Sequence, residues 1–201
     1  KQAVKKNLDI IGITDHNSTR HCRLTRQIGE KHGITVMAGA EVNTKEEIHC
    51  LAFFENDSKA DQFQRYIDAH LSVIVNKPEI FGDQFIVDEE ENILEEETRL
   101  LIASFQQGID EVQEVVYRLE GIFIPAHINR MHNGIYSQLG FLPGQLKADA
   151  LEVMCIEGYK SFLAAHPETA AFSLVAGSDA HSLEQIGTVT TDLFISSPAF
   201  E

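Results

Sequence analysis

Cysteine is scarce in this chain: Cys22, Cys50 and Cys155 are the only three in 201 residues, and no two have CxxC spacing. A disulfide framework and a thiolate zinc site are both excluded, and reducing cytosol is the expected compartment. Long apolar runs are missing too, and residues 1–6 do not read as a signal peptide, so no membrane association is expected. Positive charge is in short supply, with 16 Lys and Arg against 31 Asp and Glu and a formal charge of −15. That balance lacks the basic footprint of a protein tracking a long phosphate backbone, so duplex nucleic acid is not an expected partner. The acidic block at 88–91 and 95–97 lacks EF-hand spacing and its central glycine, and reads as a solvated turn.

What remains is ordinary for a globular chain: 43% hydrophobic and 23% charged residues, enough for one domain with a real core. Residues 1–6 read as the end of a helix, and a turn leads into Ile10-Ile11-Gly12-Ile13, which runs straight into Thr14-Asp15-His16-Asn17-Ser18. A helix follows to about Ile28, with Asn17 or Ser18 as its cap. A second apolar run, 34–40, delivers Glu41, and a third, 48–53, carries His49. Helical spacing returns over 60–75 and 109–119. Between them, apolar triplets flanking the acidic block predict a small inserted hairpin around 78–97. Ile122-Phe123-Ile124-Pro125-Ala126 delivers His127; further strands are expected at 150–155 and 172–176, with a short helix at 159–165. Strand, polar residue, helix, strand is the rhythm of βα units on a parallel sheet or barrel. No low-complexity linker divides the chain, so residues 1–201 are expected to form a single domain with that one insertion.

Asp15, His16, Glu41, His49, His127, Asp179 and His181 therefore all lie at or near strand ends. Asp179 and His181 share a face if the extended geometry persists. Imidazole and carboxylate together suit zinc, manganese or iron. The donors exceed what one ion requires, which points to two or three divalent ions sharing a carboxylate, with Glu41 the best bridge. Any single histidine here has a duller reading as a hydrogen-bonded residue, and His21, His32, His70, His132 and His166 keep it. Recurrence at five strand ends carries the argument.

The segments Ile13-Thr14-Asp15-His16-Asn17, Gly39-Ala40-Glu41-Val42-Asn43-Thr44, Ile48-His49-Cys50-Leu51, Pro125-Ala126-His127 and Gly177-Ser178-Asp179-Ala180-His181 resemble, in order, the motifs of the PHP (polymerase and histidinol phosphatase) family. The resemblance implies a distorted (βα)7 TIM-like barrel and a phosphoric ester hydrolase with a two- or three-metal site. It implies that His16 and His181 share one ion and His49 and His127 a second, with Glu41 bridging to a further ion that Asp179 also holds. Glu41, His127 and Asp179 form the expected catalytic core. Asp15 is expected to orient a histidine rather than to ligate. Arg130 is the candidate for docking a phosphate, because a guanidinium matches its oxygens bidentately; a surface arginine with an acidic partner is the competing reading. Asn129 is a weaker substrate contact, and Asn17 and Asn43 weaker still. The family's opening HxH strand has no counterpart in this sequence, and a natural start preceding Lys1 is the expectation for it.

The expected function is hydrolysis of a small phosphomonoester, such as a nucleotide or short oligonucleotide, by a metal-activated hydroxide. The alternatives are a non-catalytic module with an incomplete site and a related hydrolysis of a different bond.

Overall fold

The computed structural model describes residues 1–155, 158–197 and 200. A short helix α1 (Gln2–Lys5) leads into β1 (Ile10–Ile13), α2 (Cys22–Lys31), β2 (Thr35–Asn43), β3 (His49–Phe54) and α3 (Asp57–His70). The chain continues through α4 (Pro78–Phe81), the strands β4 (Phe85–Val87) and β5 (Ile93–Glu96), α5 (Ile109–Arg118) and β6 (Ile122–Pro125). It finishes with α6 (Ile135–Leu139), β7 (Leu151–Glu152), α7 (Tyr159–Ala165), a 3-10 turn at Pro167–Ala171 and β8 (Leu174–Val175).

The central sheet has the order β1-β2-β3-β6. β1 and β2 are parallel, but β2 pairs antiparallel with β3, and β3 antiparallel with β6. The sequence supplies the reason. Between Asn43 and His49 the chain has room only for a tight polar turn, in which Thr44 N–H donates to Ile48 O and Glu47 adopts φ +60°. A parallel crossover needs a dozen or more residues. Beyond β6 the sheet continues loosely: Asp149 N–H donates to Phe123 O and Ile128 N–H to Glu152 O, and β7 is parallel to β8. Among the described residues β1 and β8 do not pair. The expected (βα)7 barrel is therefore corrected to an open, mixed α/β arrangement of small sheets. A groove of about 1550 Å³ separates β1 from residues 186–197.

One face of this sheet carries the core. Val42, Cys50, Ala52 and Phe54 meet Phe63 and Ile67 of α3 and Val112 and Val116 of α5, all fully buried. α3 begins where Asn56 accepts the Lys59 N–H, and it stops at His70 rather than at Val75. The inserted hairpin is present as β4–β5, fastened to α2 and the loop before it by Arg20–Glu95 and Lys31–Glu89 ion pairs. α2 starts at Cys22, later than Asn17 or Ser18 would have begun it, because Asn17 holds φ +47° and its side chain is used elsewhere.

Candidate metal centre

Past Ile13 the chain continues beside β2. Glu41 N–H donates to Asp15 O (3.1 Å) and Asn17 N–H to Glu41 O (2.9 Å), which sets His16 opposite Glu41. Asn17 then turns the chain away. Its buried amide donates to Leu101 O (2.6 Å) and Ala103 O (2.8 Å) and accepts Asn43 N–H (3.1 Å). His127 and Asp179, at the two other exits, also hold left-handed backbone, with φ +30° and +43°. Such conformations cost on the order of 1–3 kcal/mol each in a non-glycine residue and persist where tertiary contacts impose them.

These turns converge three imidazoles on one carboxylate. His49 Nδ1 lies 3.0 Å and His127 Nε2 3.2 Å from Glu41 Oε1, while His16 Nδ1 lies 3.1 Å from Glu41 Oε2. Glu41 and His127 are buried, and the rings of His16 and His49, and of His49 and His127, stand 5.3 and 5.2 Å apart. Burial pushes the Glu41 carboxyl up, but the imidazoles, His127 first, outweigh it and hold the group far below the usual carboxylate range. Glu41 in turn raises His16 above its ordinary value against the opposing effect of burial. This donor set fits divalent cations. Candidate ligand atoms of His16, Glu41 and His49 lie within 4.8 Å of one another. His16 Nδ1, for all its closeness to Glu41, lacks hydrogen-bond geometry, and His127 Nδ1 is buried without a partner. Three imidazole nitrogens crowded on one buried carboxylate, with a further buried nitrogen left unpartnered, form a donor set that a shared cation would satisfy.

Asp179 and His181 flank this cluster on the groove side. His181 stacks obliquely on His16, with centroids 5.9 Å apart, and its Nδ1 is 2.9 Å from Asp179 O. Arg130 Nη1 donates to Asp179 Oδ2 at 3.1 Å, so the guanidinium reaches the mouth with an acidic partner. Asn129 is otherwise engaged: its amide exchanges hydrogen bonds with both N–H and C=O of Met154. Asp15 does contact a histidine, but the nearer imidazole is His21, whose Nδ1 is 3.0 Å from Asp15 Oδ2 and whose Nε2 accepts Val87 N–H from the hairpin.

Glu152 was not anticipated. It is buried at the end of β7, its Oε2 accepts His127 N–H at 3.0 Å, and burial, with Glu41 and Asp179 nearby, pushes its carboxyl up. The signal was there in Ala150-Leu151-Glu152, an apolar run delivering an acid as at Glu41.

A model of the PHP-associated family matches residues 169–199. No curated protein matches the chain. Among solved structures, the lesion-specific endonuclease Q of Pyrococcus furiosus superposes with a TM-score of 0.64 at 19% identity, covering 92% of this chain and 44% of its own. A protein of Bifidobacterium adolescentis, described as a candidate metal-dependent phosphoesterase, gives 0.66 at 16% identity over 95% and 85%. The chain thus has the fold of these proteins, and the PHP resemblance read from its motifs is borne out. It spans less than half the length of the endonuclease Q chains it matches.

One expectation is overturned. Endonuclease Q, with a TM-score of 0.62 at 20% identity over 90% of this chain and 43% of its own, is seen with a 27-mer duplex substrate that has an abasic lesion at the active site. Duplex nucleic acid is therefore not excluded on this fold by net acidity. Formal charge summed over a chain does not report the local field beside a cluster of cations.

Proposed function

We propose that the chain is a metal-dependent phosphoester hydrolase whose ions are held by His16, Glu41, His49, His127, Asp179 and His181. The observation that carries this reading is the buried Glu41 carboxylate with three imidazole nitrogens at 3.0–3.2 Å. Divalent ions bound there, zinc, manganese or iron, would activate water and offset charge on the phosphoryl oxygens. The residues do the rest. Glu41 and His127 provide a rigid buried anchor, and Asp179 and His181 form its groove side. Arg130, 40% exposed at its side chain, offers a guanidinium to the phosphate when a competing cation draws Asp179 away. Asn129 commits one amide N–H and its oxygen to Met154, which leaves it the weaker of the two substrate-contact candidates. The groove is roomier than the roughly 300–1,000 Å³ of ordinary small-molecule pockets, which favours a short oligonucleotide over a free mononucleotide.

The test is phosphoester cleavage by metal-reconstituted protein against nucleotides, short oligonucleotides and a duplex with an abasic site. Turnover that chelator removes and metal restores supports the proposal. Fully loaded protein inert on every ester would instead favour the non-catalytic module.

A further inference from the structure

His127 is the most buried of the imidazoles around Glu41 and the most strained in its backbone. At that point the β3–β6 ladder has ended, with Cys50 opposite Pro125 and Ala126 N–H donating to His49 O. The next amide, that of His127, has no strand partner, and a buried N–H needs an acceptor. Glu152 supplies it through Oε2 at 3.0 Å. The Glu152 backbone oxygen also accepts Ile128 N–H at 2.9 Å, and Arg130 N–H closes the turn onto His127 O at 2.8 Å. The other carboxylate oxygen faces the loop that carries Asp179: a Cβ on Gly177 would stand 3.0 Å from Glu152 Oε1, so this loop passes close because residue 177 is glycine.

We propose that Glu152 is a positioning residue, holding His127 in its left-handed turn and the Asp179 loop beside it so that the His127 imidazole stays on Glu41. The inference rests on the reading of these residues as a metal centre. Its chemistry is specific: the contact to His127 needs an acceptor oxygen, not a negative charge. A glutamine preserves that oxygen and an alanine removes it. A direct ligand would respond differently, because an amide is a poor substitute for a metal-bound carboxylate.

Zinc or manganese titration of wild type, Glu152→Ala and Glu152→Gln reads the difference. Glu152→Ala should weaken the tightest site by about 10–100-fold, the size seen when a group supporting a metal-ligand histidine is removed. Glu152→Gln should stay within about threefold of wild type. In metal-free protein, amide hydrogen exchange at His127 should accelerate in Glu152→Ala and remain near wild type in Glu152→Gln. Unchanged affinity and exchange in Glu152→Ala would overturn the inference, and so would a glutamine variant as defective as the alanine one. Should Glu152→Ala fail to fold, the glutamine variant decides alone. A wild type that binds no cation would sink the metal-centre reading, while the exchange measurement still judges the Glu152 contact.

Discussion

Glu41 is the side chain on which the site turns, and its neighbours make its chemistry testable. His127→Ala should abolish turnover, a loss of at least about 10³-fold, while far-UV circular dichroism and the unfolding transition stay near wild type. Activity retained in that variant would count heavily against the assignment. The acid–base behaviour has a definite sign. Glu41 raises His16 above its ordinary value of 6.5, so metal-free protein keeps a proton on this imidazole past pH 6.5. A cation must displace that proton, and its apparent affinity should climb with pH through and beyond 6.5, by up to about tenfold per unit. Zinc titrations at pH 5.5–8.5 check this; a flat profile contradicts imidazole ligation. The imidazoles around Glu41 were visible in the sequence, since His16 and His127 come at the ends of apolar runs and His49 lies within one. The pairing of Asp15 with His21 was not, because it depends on where a hairpin some 70 residues later comes to lie.

The segment from β4 to residue 103 is built into the wall of the groove rather than hung outside the fold. Asn17 ties its return path, at Leu101 and Ala103, to the strand carrying Glu41. Asn17→Ala leaves two carbonyls and an amide without partners and should cost about 3 kcal/mol or more in urea unfolding. A smaller device sits nearby. Arg99 holds the Glu97 carboxyl below the ordinary 4.5, and Glu97 is almost wholly buried. With the folded value depressed, the pair stabilises above about pH 4.5, and that stability is lost as pH falls through the lowered folded value. Glu97→Gln should therefore be less stable than wild type by about 1–3 kcal/mol at pH 7, with the gap narrowing as the pH is taken progressively below 4.5 in denaturant titrations. A gap that persists in acid would show that packing, not ionisation, is responsible. The hairpin itself was legible from its two apolar triplets. Its attachment was not, because single charges such as Arg20 and Lys31 do not announce their partners.

For the molecule as a whole, hydrophobic periodicity gave the elements and their order, and the strand-end pattern gave the residues that meet. Closure into a barrel did not follow. The rhythm of strand and helix implies parallel neighbours, yet the short turn at 44–48 reverses β3, and the arc of strands stays open between β1 and β8. Strand length was overestimated at 150–155 and 172–176, where only Leu151–Glu152 and Leu174–Val175 pair. Apolar residues are necessary for a buried strand but not sufficient: 150–153 are buried, whereas Leu174 in the partner segment stays exposed and the ladder there is short. Net charge misled in the same way, as a property of the entire chain applied to one local surface.

The metal content of the purified chain after reconstitution with zinc or manganese and exhaustive dialysis tests the metal centre at its source. At least two tightly held equivalents are expected in wild type, falling to fewer than one in Glu41→Ala. Wild-type protein that retains no metal, or a Glu41→Ala variant that retains as much as wild type, would contradict it.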